Sequence, residues 1–239
     1  MLEWQERTHL LLGHEKVKIL NQSHVLIVGL GGVGAYAAEQ IVRAGIGKIT
    51  LFDGDIIKPS NLNRQLIALQ STLDSSKTDV LRDRLIDINP NLEIKAHNEF
   101  LKDQRIEVLL KNPFDYVVDA IDTLAPKIFL IYHALKNNHK LVSSMGAGGK
   151  TDPSQVKIAD ISNTYNDNLA RVLRKRLHRM GIYKGFRTVF SPEKIDPSSI
   201  IPVESEQNKK TSVGTISYMP ALFGNFISSV VIRDLVHIL

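Results

Sequence analysis

Hydrophobic positions along the chain fall into short β-branched runs that alternate with amphipathic stretches. HVLIVG (24–29) is a compact apolar run and predicts a buried strand. The glycine-rich GLGGVG (29–34) follows, and AYAAEQIVRAG (35–45) reads as a helix closed by Gly45. KITLFD (48–53) predicts a second strand. SKTDVLRDRLIDIN (76–89) places Val80, Leu81, Leu85 and Ile88 on one face, so it reads as a helix stopped by Pro90. The alternation continues with a strand at 92–97, a helix at 103–112, and a strand at 115–120. A helix at 126–138, with Pro126 near its start, and a strand at 140–145 complete it. A short helix over 14–22 leads in.

Strands alternating with helices to about residue 150 predict an α/β fold with a doubly wound, mostly parallel sheet. The pattern then changes. VKIADI (156–161) is strand-like, and 168–180 reads as a helix with Leu169, Val172, Leu173, Leu177 and Met180 as its apolar stripe. Residues 191–212 are polar and contain Pro192, Pro197 and Pro202, which predicts a mobile loop; 219–239 predicts a largely apolar closing helix. The reading is one domain, 1–239, with a nucleotide-binding part over 1–150 and a smaller α/β extension over 151–239.

Composition narrows the chemistry. The 239 residues are 43% hydrophobic and 23% charged, which excludes disordered and fibrous classes. The absence of cysteine excludes disulfides, thiolate zinc sites, iron–sulfur clusters and a thioester step on this chain. No apolar run reaches the ~18 residues of a membrane span, and Glu3 and Glu6 break any secretory signal, so a cytoplasmic location is expected. Net charge is +5, but residues 168–192 carry seven Lys/Arg and no acid, leaving −2 for the rest. Arg171, Arg174, Lys175, Arg176 and Arg179 lie on the helix of that stretch. They are either a solvated helix face or a footprint for a polyanion.

GLGGVG fits G-x-G-x-x-G between a strand and a helix, with Gly29, Gly31, Gly32 and Gly34 as candidates to let backbone amides approach phosphates. Asp53 stands 19 residues after Gly34, at the end of the second strand, where a carboxylate can accept ribose hydroxyls. This fingerprint alone leaves a nicotinamide dehydrogenase open. The next loop shifts the balance: DGDIIKPSNLNRQ (53–65) supplies Asp55, Asn61, Asn63, Arg64 and Gln65, and Lys77 opens the following helix. A triphosphate needs such cations at its outer phosphates, whereas a dinucleotide usually needs only loop amides. DAID (119–122) ends a predicted strand; Asp122 is either a Mg²⁺-holding group or the N-cap of the next helix. The histidines form no metal-ligand spacing or triad.

With GLGGVG, DGD, NLNRQ, Lys77 and DAID, the chain resembles the ubiquitin-activating-enzyme-like superfamily, which includes the bacterial ThiF, MoeB and HesA relatives. The resemblance implies a Rossmann-like sheet that binds ATP with Mg²⁺ and adenylates a carboxylate. It places Gly32 at the phosphate loop and Asp53 at the ribose. Asn63, Arg64 and Lys77 fall at the phosphates, with Gln65 nearby, and Asp122 is the Mg²⁺-linked catalytic aspartate. It also implies a homodimer in which Arg7, in ERTHLLLG, reaches the partner's site.

Four segments are similar to the tRNA threonylcarbamoyladenosine dehydratase subgroup (TcdA or CsdL type): ERTHLLLG, SSMGAGGKTDPSQVKIADIS, DNLARVLRKRLHRMGI and GTISYMPALFGNFISSVVIRDL. That similarity implies a tRNA substrate carrying threonylcarbamoyl-adenosine beside the anticodon. ATP would activate its carboxylate as an acyl-adenylate, and the side chain's own nitrogen would close a ring with loss of AMP. It assigns the 151–239 extension to substrate binding and dimerisation. The alternative in the same fold is adenylation of the C-terminal carboxylate of a ubiquitin-like sulfur carrier, with sulfur-transfer partners. The paired CxxC motifs common in that branch are absent.

Overall fold

In the computed structural model, which describes residues 3–202 and 211–238, the chain enters through α1 (Glu6–Leu12) and α2 (His14–Gln22). β1 (His24–Val28), α3 (Gly34–Arg43), β2 (Lys48–Phe52), α4 (Lys77–Ile88) and β3 (Glu93–His97) follow. Next come α5 (Asp103–Leu109), β4 (Tyr116–Asp119), α6 (Leu124–Lys136) and β5 (Leu141–Ser144). The last third holds β6 (Lys157–Asp160), α7 (Asn168–His178), β7 (Arg187–Phe190), β8 (Ile200–Pro202), β9 (Thr211–Val213) and α8 (Tyr218–Leu235).

One sheet of order β3-β2-β1-β4-β5-β7-β6 forms the centre, and only β6, at its edge, runs antiparallel. Both faces are covered, which is why β1 reads as an unbroken apolar run. Val25 and Ile27 pack on one side with α3, α4 and α8; Leu26 and Val28 pack on the other with α5, α6 and α7. The strand order reverses between β1 and β4. The loops leaving these two strands therefore diverge, and a crevice opens at the carboxyl end of the sheet. The Gly29–Gly34 turn and the Ala120–Thr123 segment both leave from that point.

Four features differ from the expectation, the first being α1, which the sequence pattern does not predict. β7 inserts as a parallel strand between β5 and β6, although RTVF is only four residues long and lies inside the basic stretch. α7 ends at His178, and its buried face is Ala170, Leu173 and Leu177; Met180 lies past its end and is exposed. The 191–212 segment is not all loop, because β8 and β9 pair antiparallel; residues 203–210 lie outside the described part. No described helix is long and apolar enough to cross a membrane.

Candidate functional site

The glycine loop is dictated by close backbone approach. Gly29 has φ +90°, and a Cβ there would lie 2.6 Å from the Ala120 carbonyl oxygen. A Cβ on Gly34 would lie 1.8 Å from the Gly29 carbonyl oxygen, so the helix start and the loop entrance touch through glycine alone. Gly32 lies against Pro220 of α8 and the Arg64 backbone, and Gly31 beside the Gln65 amide. The loop, the 61–65 segment, the start of α8 and the end of β4 thus meet around the crevice.

Asp53 ties the loop to the end of β2. Its carboxylate accepts the Leu30 amide at 2.6 Å and the Asp55 amide at 2.8 Å. Burial pushes its pKa up, opposed by the Lys77 ammonium and by those amides. Lys77 is buried at the start of α4, and its Nζ lies 2.8 Å from Asp55 Oδ2. Arg64 donates to the Ser60 carbonyl at 2.8 Å and to Asn63 Oδ1 at 2.9 Å, while Asn63 Nδ2 donates to the Thr215 carbonyl at 3.0 Å. That last bond fastens the loop to the segment before α8. Asn61 is buried and accepts the Lys58 amide, holding its own turn. Gln65 is also buried, and its Oε1 has no hydrogen-bond partner among the described residues, so an acceptor is left for a donor on a ligand.

Asp122 is exposed just past β4, and the N-cap of α6 is Thr123, not Asp122. Its backbone is gripped from below by a fully buried ion pair that was not part of the sequence reading. Asp119 Oδ2 lies 2.8 Å from Lys127 Nζ, both side chains being 0% exposed. Asp119 Oδ1 accepts the Ile121 amide at 3.1 Å, Lys127 Nζ donates to the Ile121 carbonyl at 2.9 Å, and Ser143 Oγ donates to Asp119 Oδ2 at 2.6 Å. Phe100 was also missed. It is exposed after β3 and packs where a Gly54 side chain would stand, next to Asp53.

Two groups of expected residues lie elsewhere. Arg7 is exposed on α1, and the adjoining Gln5 packs on Gly45 and bonds Asn21, at the amino end of the strands. This chain therefore does not bring Arg7 to its own crevice. On α7, Arg171, Lys175, Arg176 and Arg179 are exposed, but Arg174 turns back and donates to the Thr164 carbonyl and hydroxyl.

A model of the ThiF family matches residues 5–238. A tRNA threonylcarbamoyladenosine dehydratase of Bacillus subtilis is 44% identical over 193 residues, spanning 81% of this chain and 76% of that protein. The crystal structure of the E. coli tRNA N6-threonylcarbamoyladenosine dehydratase TcdA in complex with ATP superposes with a TM-score of 0.88 at 32% identity. The match covers 98% of this chain and 95% of that one. An E. coli molybdopterin-synthase adenylyltransferase is 40% identical, but over 106 residues, 44% of this chain and 42% of that protein.

Proposed function

Because the chain belongs to the ThiF family, we propose that it is an adenylating enzyme that uses ATP to dehydrate and cyclise threonylcarbamoyl-adenosine in tRNA. The observation that carries this reading is the full-length likeness to a dehydratase solved with ATP, combined with a glycine crevice flanked by Arg64, Lys77 and Asp122. The amides of the glycine loop and the Arg64 and Lys77 cations face the triphosphate. The Asp53 carboxylate takes the ribose, and Phe100 walls the base. Lys77 exchanges its Asp55 partner for phosphate oxygens.

In this reading the substrate carboxylate attacks the α-phosphorus and pyrophosphate leaves. The side chain's own nitrogen then attacks the activated carbonyl, AMP departs with the former carboxylate oxygen, and the product has lost one water. The second step is intramolecular, so no enzyme nucleophile is needed, and a cysteine-free chain suffices. Asp122 fits a Mg²⁺ site, since that ion takes one or two protein carboxylates plus phosphate and water oxygens. Bound Mg²⁺ would neutralise charge on the phosphates; Asp122 would hold it, and Asp119 and Lys127 would fix the Asp122 backbone.

Arg7 then serves a partner's crevice. Leu10 and Leu11 on α1 are 80% and 82% exposed, an apolar face that a second copy would cover. Leu10→Glu with Leu11→Glu is expected to give a monomer by sedimentation and to lose turnover together with the dimer. Full turnover by a monomeric variant would exclude Arg7 from the site.

The test of the function itself is mass spectrometry of tRNA nucleosides after incubation with enzyme and ATP. The expected result is loss of one water from the threonylcarbamoyl nucleoside. Pyrophosphate released without any change in the nucleoside would refute it.

A further inference from the structure

We infer that Tyr165 is a stacking platform for an unpaired base of the RNA substrate, an inference that rests on the tRNA reading above. The exposed large aromatics among the described residues are Trp4, Phe100, Phe129, Tyr165, Tyr183 and Tyr218. Tyr165 differs from the others in combining three properties: a rigid mount, a cationic border, and a place at the carboxyl end of the sheet.

The mount is built from both sides. Thr164 Oγ1 donates to the Ile161 carbonyl, and Arg174 donates to Thr164. Asn166 takes φ +53°, and the buried Asp167 caps α7 by accepting the Ala170 amide at 2.8 Å. The ring packs edge-to-face with Phe190 at 5.7 Å and 77°, and its hydroxyl accepts a hydrogen bond from Lys157 at 2.7 Å. Lys157 Nζ lies 5.3 Å from the ring centroid, so the ammonium sits beyond the hydroxyl end and does not cover a face. The residue remains 45% exposed. Arg174, half-buried and turned back onto Thr164, thus fastens the basic helix to the turn that carries the ring.

The position follows from register. Lys157 opens β6 opposite Phe190, the last residue of β7, so Tyr165 stands at the same end of the sheet as the glycine loop and Asp122. Three strand spacings separate β4 from β6, about 14 Å, within the span of a few nucleotides. Arg171, one turn into α7, is exposed next to this corner.

A nucleoside whose side chain reacts in the crevice must leave its stack, and its neighbour loses a stacking partner. An aromatic face held on a fixed turn beside cations restores that stacking without reading sequence. The ligand chemistry is therefore a single-stranded RNA base, not a duplex.

The experiment compares Tyr165→Leu, Tyr165→Phe and Tyr165→Trp. Leucine keeps apolar cover over Phe190 but has no π face. It is expected to weaken binding of the threonylcarbamoylated tRNA about 5- to 100-fold with ATP affinity unchanged, while Phe and Trp stay near wild type. A 2-aminopurine next to the modified adenosine is expected to be quenched on binding wild type or Tyr165→Phe. Because wild-type protein gives this signal, it holds even if the leucine variant folds poorly. Wild-type affinity in Tyr165→Leu, or an unquenched 2-aminopurine on bound wild type, overturns the platform. If Arg176→Glu with Arg179→Glu also leaves tRNA binding untouched, the RNA reading itself has failed.

Discussion

Asp122→Ala is expected to slow pyrophosphate release from ATP by about 100-fold or more while nucleotide affinity stays nearly unchanged. The side chain stands just past the carboxyl end of β4, and the preceding residues touch the glycine turn: the Ala120 amide donates to the Val28 carbonyl at 2.9 Å, and the Ala120 carbonyl leaves no room for a side chain on Gly29. Asp122 is thus held beside the phosphate loop by backbone contact. In the proposed function the glycine loop, Arg64 and Lys77 hold the rest of the nucleotide, so binding is expected to survive the loss of Asp122. A carboxylate that holds a divalent ion matters most when charge moves onto the departing pyrophosphate, so its removal should appear in kcat rather than in KM for ATP. The side chain is exposed, and the variant should unfold near the wild-type temperature. Unchanged turnover would remove Asp122 from the chemistry. A rise in KM for ATP at constant kcat would make it a binding group only.

The parallel core was legible because its strands are buried on both faces and therefore read as apolar runs. β1 shows this in HVLIV and β4 in YVVD. The crevice was legible because glycine is required where chain segments touch. β7 was not legible: RTVF opens on Arg187 within a charged stretch and does not read as an apolar run. α1 was missed because none of its residues is buried in this chain, so its pattern carries no inward face. Arg174 and Arg176 look alike in sequence, and only the fold shows that one braces a turn while the other meets solvent. The candidate site shows the same limit. Arg64, Lys77 and Asp122 follow from charge next to a glycine loop. Lys127 sits in the first turn of a mostly apolar helix, and nothing local reveals that it faces Asp119 across a dry interior.

Lys127→Met is expected to destabilise the fold by about 3–5 kcal/mol, since it removes one partner of a buried ion pair and strands the other. Both side chains are fully buried, and among the described residues the Asp119 carboxylate keeps Ser143 Oγ and the Ile121 amide as its donors once the ammonium is gone. Methionine nearly matches the lysine stem, so cavity formation adds little and the loss is electrostatic. Restoring neutrality with Asp119→Asn in the same chain is expected to recover much of the stability, because a neutral amide tolerates burial better than a lone carboxylate. Recovery of stability need not recover activity: in the double variant the Ile121 carbonyl still lacks its Lys127 donor, and the Asp122 backbone is freer. Denaturant unfolding and pyrophosphate release separate the two effects. A single variant within about 1 kcal/mol of wild type would mean that water reaches the pair, contrary to its burial.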